Sequence, residues 1–262
     1  MLWGSKLQNL VISLKTAIDR RKHIEEQFES KNIAFQFFDA LTPDLARPLA
    51  EKMKLNISNE YLSPGELACF MSHVSIWQKI VDENIPYLAI FEDDIFLGEQ
   101  ADRILNSYEW IEKDWDIIKL EAFADKLFLA KEISYIKNTQ RTIRKLNGKN
   151  LGTAGYILSQ KGAKAYLDYV SARPLIPLDE MMFDIFIKEN KVSIYQVCPA
   201  ICIQEMKLYP NTKNGLTSEL LIERKQRMKK HKKKGWLKIK GEFVRIINQL
   251  KRKIFAIKHE FK

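Results

Sequence analysis

The run Tyr87-Leu88-Ala89-Ile90-Phe91 follows Pro86 directly, is apolar at every position, and ends in three consecutive carboxylates, Glu92-Asp93-Asp94. A strand with one wet face alternates apolar and polar residues, so a strand without a polar position must be covered on both faces. Layers that cover both faces of a sheet are the mark of α/β architecture. The same segment then requires an abrupt change of environment, because its last apolar side chain is followed at once by three charges.

The rest of the chain fits this frame. Asn9 to Leu14 is a short β-branched run, and Ala17 to Ser30 carries Ile18, Ile24 and Phe28 at helical spacing. Ala34 to Phe38 closes a first βαβ unit, which favours a parallel sheet. Asp39 to Asn59, with Pro43 and Pro48, reads as loop with short helical pieces. Ser63-Pro64-Gly65-Glu66 has capping-box spacing with Pro at the first helical position. The helix it opens carries Leu67, Phe70, Met71, Val74, Trp77, Ile80 and Val81 on one face. Further strands are expected at Trp115 to Leu120, Gly155 to Leu158 and Val192 to Val197, and helices at Gln160 to Val170 and Leu178 to Lys188.

Charge is distributed unevenly. The chain has 43 Lys or Arg, 33 Asp or Glu and a formal charge of +10. Between Arg224 and Lys262 stand 16 of those bases and only two acids, leaving 27 bases and 31 acids in residues 1–223. The body is therefore mildly acidic and the basicity belongs to a tail. Residues 1–222 read as one catalytic domain and 223–262 as a separate basic segment. Cys69, Cys198 and Cys202 are an odd number in a chain with an ample apolar core, which argues against a disulfide framework. No second Cys or His pair stands near Cys198 and Cys202 to complete a structural zinc site. The N-terminus lacks the long apolar region of a signal peptide, and no run is long enough to span a bilayer. Those features predict a cytoplasmic protein.

Three carboxylates at the exit of an apolar strand repel one another in a poorly solvated crevice, and something positive must offset them. A divalent cation does so most simply, and ligands in open α/β sheets collect at the carboxyl ends of strands. Hard oxygen donors suit Mg²⁺ or Mn²⁺, which bridge to substrate phosphates. A solvated acidic turn is the alternative.

Six segments occur in a fixed order: Val11-Ile12-Ser13-Leu14 with Asp19-Arg20-Arg21, Phe35 to Ala40, Ala68-Cys69-Phe70-Met71-Ser72-His73, Phe91-Glu92-Asp93-Asp94, Gly152 to Ile157, and Pro177-Leu178-Asp179. In that order they resemble glycosyltransferase family 25, over about residues 9 to 206, and most closely its bacterial lipooligosaccharide β-1,4-galactosyltransferases. The resemblance implies an α/β, GT-A type Rossmann-like fold, a UDP-galactose donor, Mn²⁺ or Mg²⁺, and inversion at the anomeric carbon. It implies a lipooligosaccharide acceptor ending in glucose or N-acetylglucosamine. Transfer of another sugar in the same pathway is the nearest alternative.

On this reading Asp94 is the preferred metal ligand, with Glu92 beside it and Asp93 either beside it or on the ribose of the donor. The first acid of the motif is Glu rather than Asp, which keeps the charge on a longer arm. An inverting displacement needs a general base, and Asp179 in Pro177-Leu178-Asp179-Glu180 is the candidate, with Glu180 and Glu121 in reserve. An acid in a first helical turn is equally explained by the helix dipole. Ser13, Leu14 and Arg20 follow the first strand, where nucleotide or diphosphate would approach. Arg20 has the alternative of a surface pair with Glu25 or Asp19. His73 lies off the main apolar stripe of its helix, and a lone His is more often structural than functional; its place in the family motif supports the other reading, a donor-binding role. Thr153 and Gly155 lie in a small-residue segment that would admit a sugar close to backbone, or simply turn into a strand.

From Trp236 to Phe261 apolar residues recur three and four apart beside a lysine-rich face. Such a segment fits a peripheral anchor on the anionic inner face of a bacterial inner membrane, through residues 224–262, and the spacing also fits a dimerising coiled coil that would make a homodimer. Nucleic-acid binding by the tail is the rival from another class, disfavoured because the body is acidic and has no basic face interleaved with aromatics. Metal-dependent phosphoester hydrolysis is disfavoured by the scarcity of histidine, four in the chain.

Overall fold

The computed structural model describes residues 9–57, 61–189, 192–211, 227 and 251–262. Its strands are β1 (Asn9–Ser13), β2 (Gln36–Asp39), β3 (Tyr87–Glu92), β4 (Ile95–Leu97), β5 (Ile117–Lys119), β6 (Lys126–Leu127), β7 (Ser134–Tyr135), β8 (Thr142–Lys145), β9 (Gly155–Ser159), β10 (Ile194–Cys198), β11 (Cys202–Gln204) and β12 (Ile257–Lys258). Its helices are α1 (Ile18–Glu29), α2 (Pro43–Lys52), α3 (Pro64–Asp82), α4 (Ala101–Leu105), α5 (Gln160–Ser171), α6 (Leu178–Glu180), α7 (Phe186–Lys188) and α8 (Glu205–Leu208). Eight strands form one sheet in the order β2-β1-β3-β9-β5-β10-β8-β7, while β11 pairs with β4 and β12 with β6.

The apolar pentad is covered on both sides. Leu88 and Ile90 enter a core built with α2, α3 and α5. Ala89 and Phe91 face the opposite core with Ile24 and Phe28 of α1 and Ile104 and Leu105 of α4. Alternate side chains of a strand point to opposite faces, so an all-apolar strand is what two cores require.

The first βαβ unit forms the parallel pairing expected of it, but the sheet as a whole is mixed. Strands β2, β1 and β3 are parallel, but β9 runs antiparallel to both β3 and β5. Within residues 39–57, expected as loop with short helical pieces, α2 is one helix of ten residues that buries Ala46 and Ala50. α3 matches its sequence signal: Ser63 Oγ accepts from the Glu66 N–H at 3.2 Å, and the Ser63 N–H donates back to Glu66 Oε2 at 3.0 Å. The helix expected at Leu178 to Lys188 is α6 joined to α7 through a π-helical turn at Met181–Ile185, where Phe183 leaves helical dihedrals.

Most of the tail, including residues 228–250, lies outside the described residues. Residues 251–255 are helical, but the helix expected to run to Phe261 has ended before β12. The reason lies in backbone partners. Ala200 N–H donates to the Glu260 carbonyl at 2.8 Å, Glu99 N–H to that of Lys262 at 3.1 Å, and His259 N–H to that of Asp125 at 2.9 Å. Neighbouring backbone thus pairs the His259 N–H, and also carbonyls that the last turn of a continued helix would have left without a partner. Among the described residues no helix is long and apolar enough to cross a membrane.

Candidate active site

The acidic triplet sits at the carboxyl end of β3, where the parallel register with β1 sets Ile12 opposite Glu92. That register carries Ser13 alongside Asp93. Ser13 Oγ donates to Asp93 Oδ2 at 2.7 Å, and Arg20, from the first turn of α1, donates through Nη1 to Oδ1 at 2.6 Å. Both oxygens of Asp93 are engaged and the residue is buried, so of the three acids it has least to offer a cation. Arg20 therefore reaches into the crevice. Leu14 itself is exposed; its carbonyl accepts from Arg21 Nε at 3.1 Å and helps to turn the chain from β1 into α1.

Glu92 and Asp94 flank a second set of contacts. Thr153 Oγ1 donates to Glu92 Oε1 at 2.6 Å. The Gln204 amide nitrogen stands 3.2 Å from Glu92 Oε2 and 3.3 Å from each Asp94 oxygen. Burial pushes the Asp94 carboxyl up, and the charges of Glu92 and Asp93 outweigh that of Arg20, bringing it to about 7. Burial acts in the same sense on Glu92, but the His73 ring, the Thr153 hydroxyl and the Lys119 charge more than offset it and hold that carboxyl below its ordinary value. Two poorly solvated carboxylates that share the Gln204 amide favour a positive neighbour.

His73 is wholly buried behind Glu92. Trp77 Nε1 donates to the Tyr156 hydroxyl at 3.0 Å, and that hydroxyl lies 2.7 Å from His73 Nδ1. Because indole can only donate, the Tyr156 oxygen accepts and its own hydrogen is available to Nδ1, which leaves the proton of a neutral ring on Nε2. Nε2 has no hydrogen-bond partner and lies 3.8 Å from Glu92 Oε1. Cys69, one helical turn earlier on α3, joins His73 and Glu92 in a group whose ligand atoms all lie within 4.8 Å of one another. The Cys69 thiol is pushed well up by burial first and then by Glu92, Asp179 and Asp94, so these acids share one neighbourhood.

Glu121 does not serve as an open reserve base. It is fully enclosed, its Oε2 accepting from Lys119 Nζ at 3.0 Å and from the Ala154 N–H at 3.1 Å. Lys119 Nζ also donates to the Gly152 carbonyl at 2.5 Å and lies 4.1 Å from the centre of the Phe183 ring. This pair fixes the segment that presents Thr153. Gly152 has φ +87°, and a Cβ there would run into the Glu121 carboxylate. Gly155 opens β9 with the Cys202 sulfur against its Cα. The small residues thus make the turn into β9, and the close neighbours of these two glycines are protein atoms. Asp179 is buried in α6, where its Oδ1 accepts from the Glu180 N–H at 3.0 Å, and Glu180 is half-buried beside it.

Glu92 and Asp94 form an oxygen-rich donor set that suits a hard divalent ion. The Cys69, His73 and Glu92 group mixes soft and hard donors instead. Gln204, Tyr156, Trp77 and Lys119 were not singled out from sequence. Lys119 did carry a signal: it stands two residues from Glu121, on the same face of an apolar strand, as opposite charges buried together would. Gln204 carried none, because its partners lie 110 and 112 residues away.

The family description that matches, over residues 6–182, is Glycosyltransferase family 25 (LPS biosynthesis protein). The chain is 40% identical to lipooligosaccharide biosynthesis protein lic2B of Haemophilus influenzae, over 96% of this chain and 97% of that one. It is 38% identical to the lacto-N-neotetraose biosynthesis glycosyltransferase LgtE of Neisseria gonorrhoeae, over 84% and 82% of the two chains. With LgtB of Neisseria meningitidis serogroup B it shares 39% identity over 76% of each.

Proposed function

The chain belongs to glycosyltransferase family 25, and from that premise we propose that it transfers galactose from UDP-galactose to a terminal glucose or N-acetylglucosamine of lipooligosaccharide, forming a β-1,4 bond with inversion. The observation that carries the site reading is the pair Glu92 and Asp94 at the carboxyl end of β3, both reached by the one Gln204 amide. A GT-A arrangement accords with the parallel pair of β1 and β3 and the α1 helix between them, which bring Ser13, Arg20 and the acids to one end of the sheet. Mn²⁺ or Mg²⁺ held by Glu92 and Asp94 would supply Lewis-acid neutralisation of charge on the leaving diphosphate. Asp93, fixed by Ser13 and Arg20, faces the nucleotide rather than the cation.

The acceptor hydroxyl oxygen attacks the anomeric carbon while the bond from that carbon to the diphosphate oxygen breaks. UDP departs with the bonding pair and the hydroxyl proton passes to Asp179, the general base. Thr153 holds Glu92 in place through its hydroxyl, and the His73 ring lies behind the same carboxylate. The tail supports peripheral attachment at the inner face of the inner membrane. At its described end Lys251, Arg252 and Lys253 are exposed beside Ile254 and Phe255, which are 72% and 68% exposed. Basic residues next to exposed apolar ones suit an anionic interface.

A screen of purified protein with UDP-galactose, UDP-glucose and UDP-N-acetylglucosamine, Mn²⁺, and acceptors ending in glucose or N-acetylglucosamine tests this reading. Galactose transfer that is abolished by EDTA and lowered at least about a hundredfold by Asp94→Ala is expected. Consumption of a different donor, or full activity of Asp94→Ala, would overturn the respective part. Co-sedimentation with vesicles containing anionic lipid, lost at high salt, is the expected behaviour of the tail; equal sedimentation with neutral vesicles would count against it.

A further inference from the structure

We propose that Gln204 is a third protein ligand of the divalent cation, donating its side-chain carbonyl oxygen; this rests on the metal reading above. β11 pairs antiparallel with β4 so that Gln204 stands opposite Ile95, and the following Glu205 N–H donates to the Asp94 carbonyl at 2.8 Å. These backbone contacts fix Gln204 over the acidic triplet from the far side of the crevice. Its amide nitrogen touches both Glu92 and Asp94, at 3.2 and 3.3 Å. Contacts of that length, shared among three oxygens, are weak hydrogen bonds, and the group occupies the place where positive charge is wanted.

A carboxamide presents nitrogen or oxygen at nearly the same point when it turns by half a revolution about its last torsion. A cation between Glu92 and Asp94 would repel the N–H hydrogens and attract the carbonyl. The donor set would then be two carboxylates and an amide oxygen, all hard, with positions left for water and diphosphate. Asp93 is tied to Ser13 and Arg20, so an additional protein donor has to come from another element. The buried Nε2 of His73, without a partner and 3.8 Å from Glu92, presses the same carboxylate from behind.

Two substitutions give opposite signs for a ligand and for a mere hydrogen-bond donor. Mn²⁺ binding is followed by loss of the free-ion EPR signal in the presence of UDP at pH 8, without turnover. Gln204→Leu is expected to weaken Mn²⁺ at least about tenfold. Gln204→Glu keeps an oxygen and adds charge, so it is expected to bind Mn²⁺ as tightly as wild type or more so. If Gln204 only donated hydrogen bonds, Gln204→Glu would fall with Gln204→Leu, and that result, or unchanged affinity in Gln204→Leu, overturns the proposal. Failure of the wild-type protein to bind Mn²⁺ with UDP would instead overturn the metal reading beneath it. Gln204 is half-exposed, so neither variant burdens the core.

Discussion

Tyr156 shows how a buried polar side chain acts through its neighbours. Its hydroxyl accepts from Trp77 at 3.0 Å and meets His73 at 2.7 Å, all three residues being fully buried. In Tyr156→Phe the indole N–H loses its acceptor and His73 Nδ1 its donor, with no solvent to replace either. Leaving a buried donor unmet costs about 1–3 kcal/mol. Urea unfolding is therefore expected to show a loss of that order for Tyr156→Phe, and the ring of His73 no longer has a fixed tautomer. An unchanged urea midpoint would show that Trp77 and His73 do not depend on the hydroxyl. Nothing in Gly155-Tyr156-Ile157 distinguishes this tyrosine from any strand aromatic, because its role comes from residues 79 and 83 positions earlier. His73, by contrast, was singled out for its place in the family motif, and the residues alone argued the other way.

Among elements, those with a strong local signal formed as expected. β3 declared itself by composition and α3 by its cap, and the two meet at Glu92 and His73. β4 and β11, three residues each, are too short for any periodicity to register, yet they bring Gln204 to the acids. β5 illustrates a different limit. The spacing of Lys119 and Glu121 hints at a pair, but only the sheet shows Lys119 completely buried and bound to both the Glu121 carboxylate and the Gly152 carbonyl. Removing one member of such a pair strands the other charge in a dry site, which costs about 3–5 kcal/mol. Lys119→Met is expected to destabilise by about that much in urea and to lower activity through the displaced Thr153 segment. Adding Glu121→Gln should recover much of the stability, since the stranded charge is gone; if the double variant is no more stable than Lys119→Met, the pair is not what holds this segment.

On the scale of the whole molecule the tail is attached to the body at separated points. Arg227 is buried against the start of α3, donating through Nε to Glu66 at 2.8 Å, the same carboxylate that closes the capping box. Residues 257–262 lie along the sheet, with the Lys262 carbonyl accepting from Arg141 at 2.6 Å. Sequence periodicity through Ile257 and Phe261 suggested continuing helix because a four-residue step also fits an alternating strand, and His259 between them faces inward. Burial lowers the His259 ring from 6.5 to about 4, and Lys119 acts in the same sense against the opposing Glu121 backbone oxygen. The folded protein thus prefers the neutral ring. Its stabilising share is complete above pH 6.5 and is lost as acid protonates first the unfolded chain and then, near pH 4, the folded one. The full difference approaches about 3 kcal/mol. Stability measured by urea is expected to fall from pH 7 to pH 4 more steeply in the wild type than in His259→Phe, which has no proton to take up there. Identical slopes for the two proteins would show that this end of the tail does not couple to folding through His259.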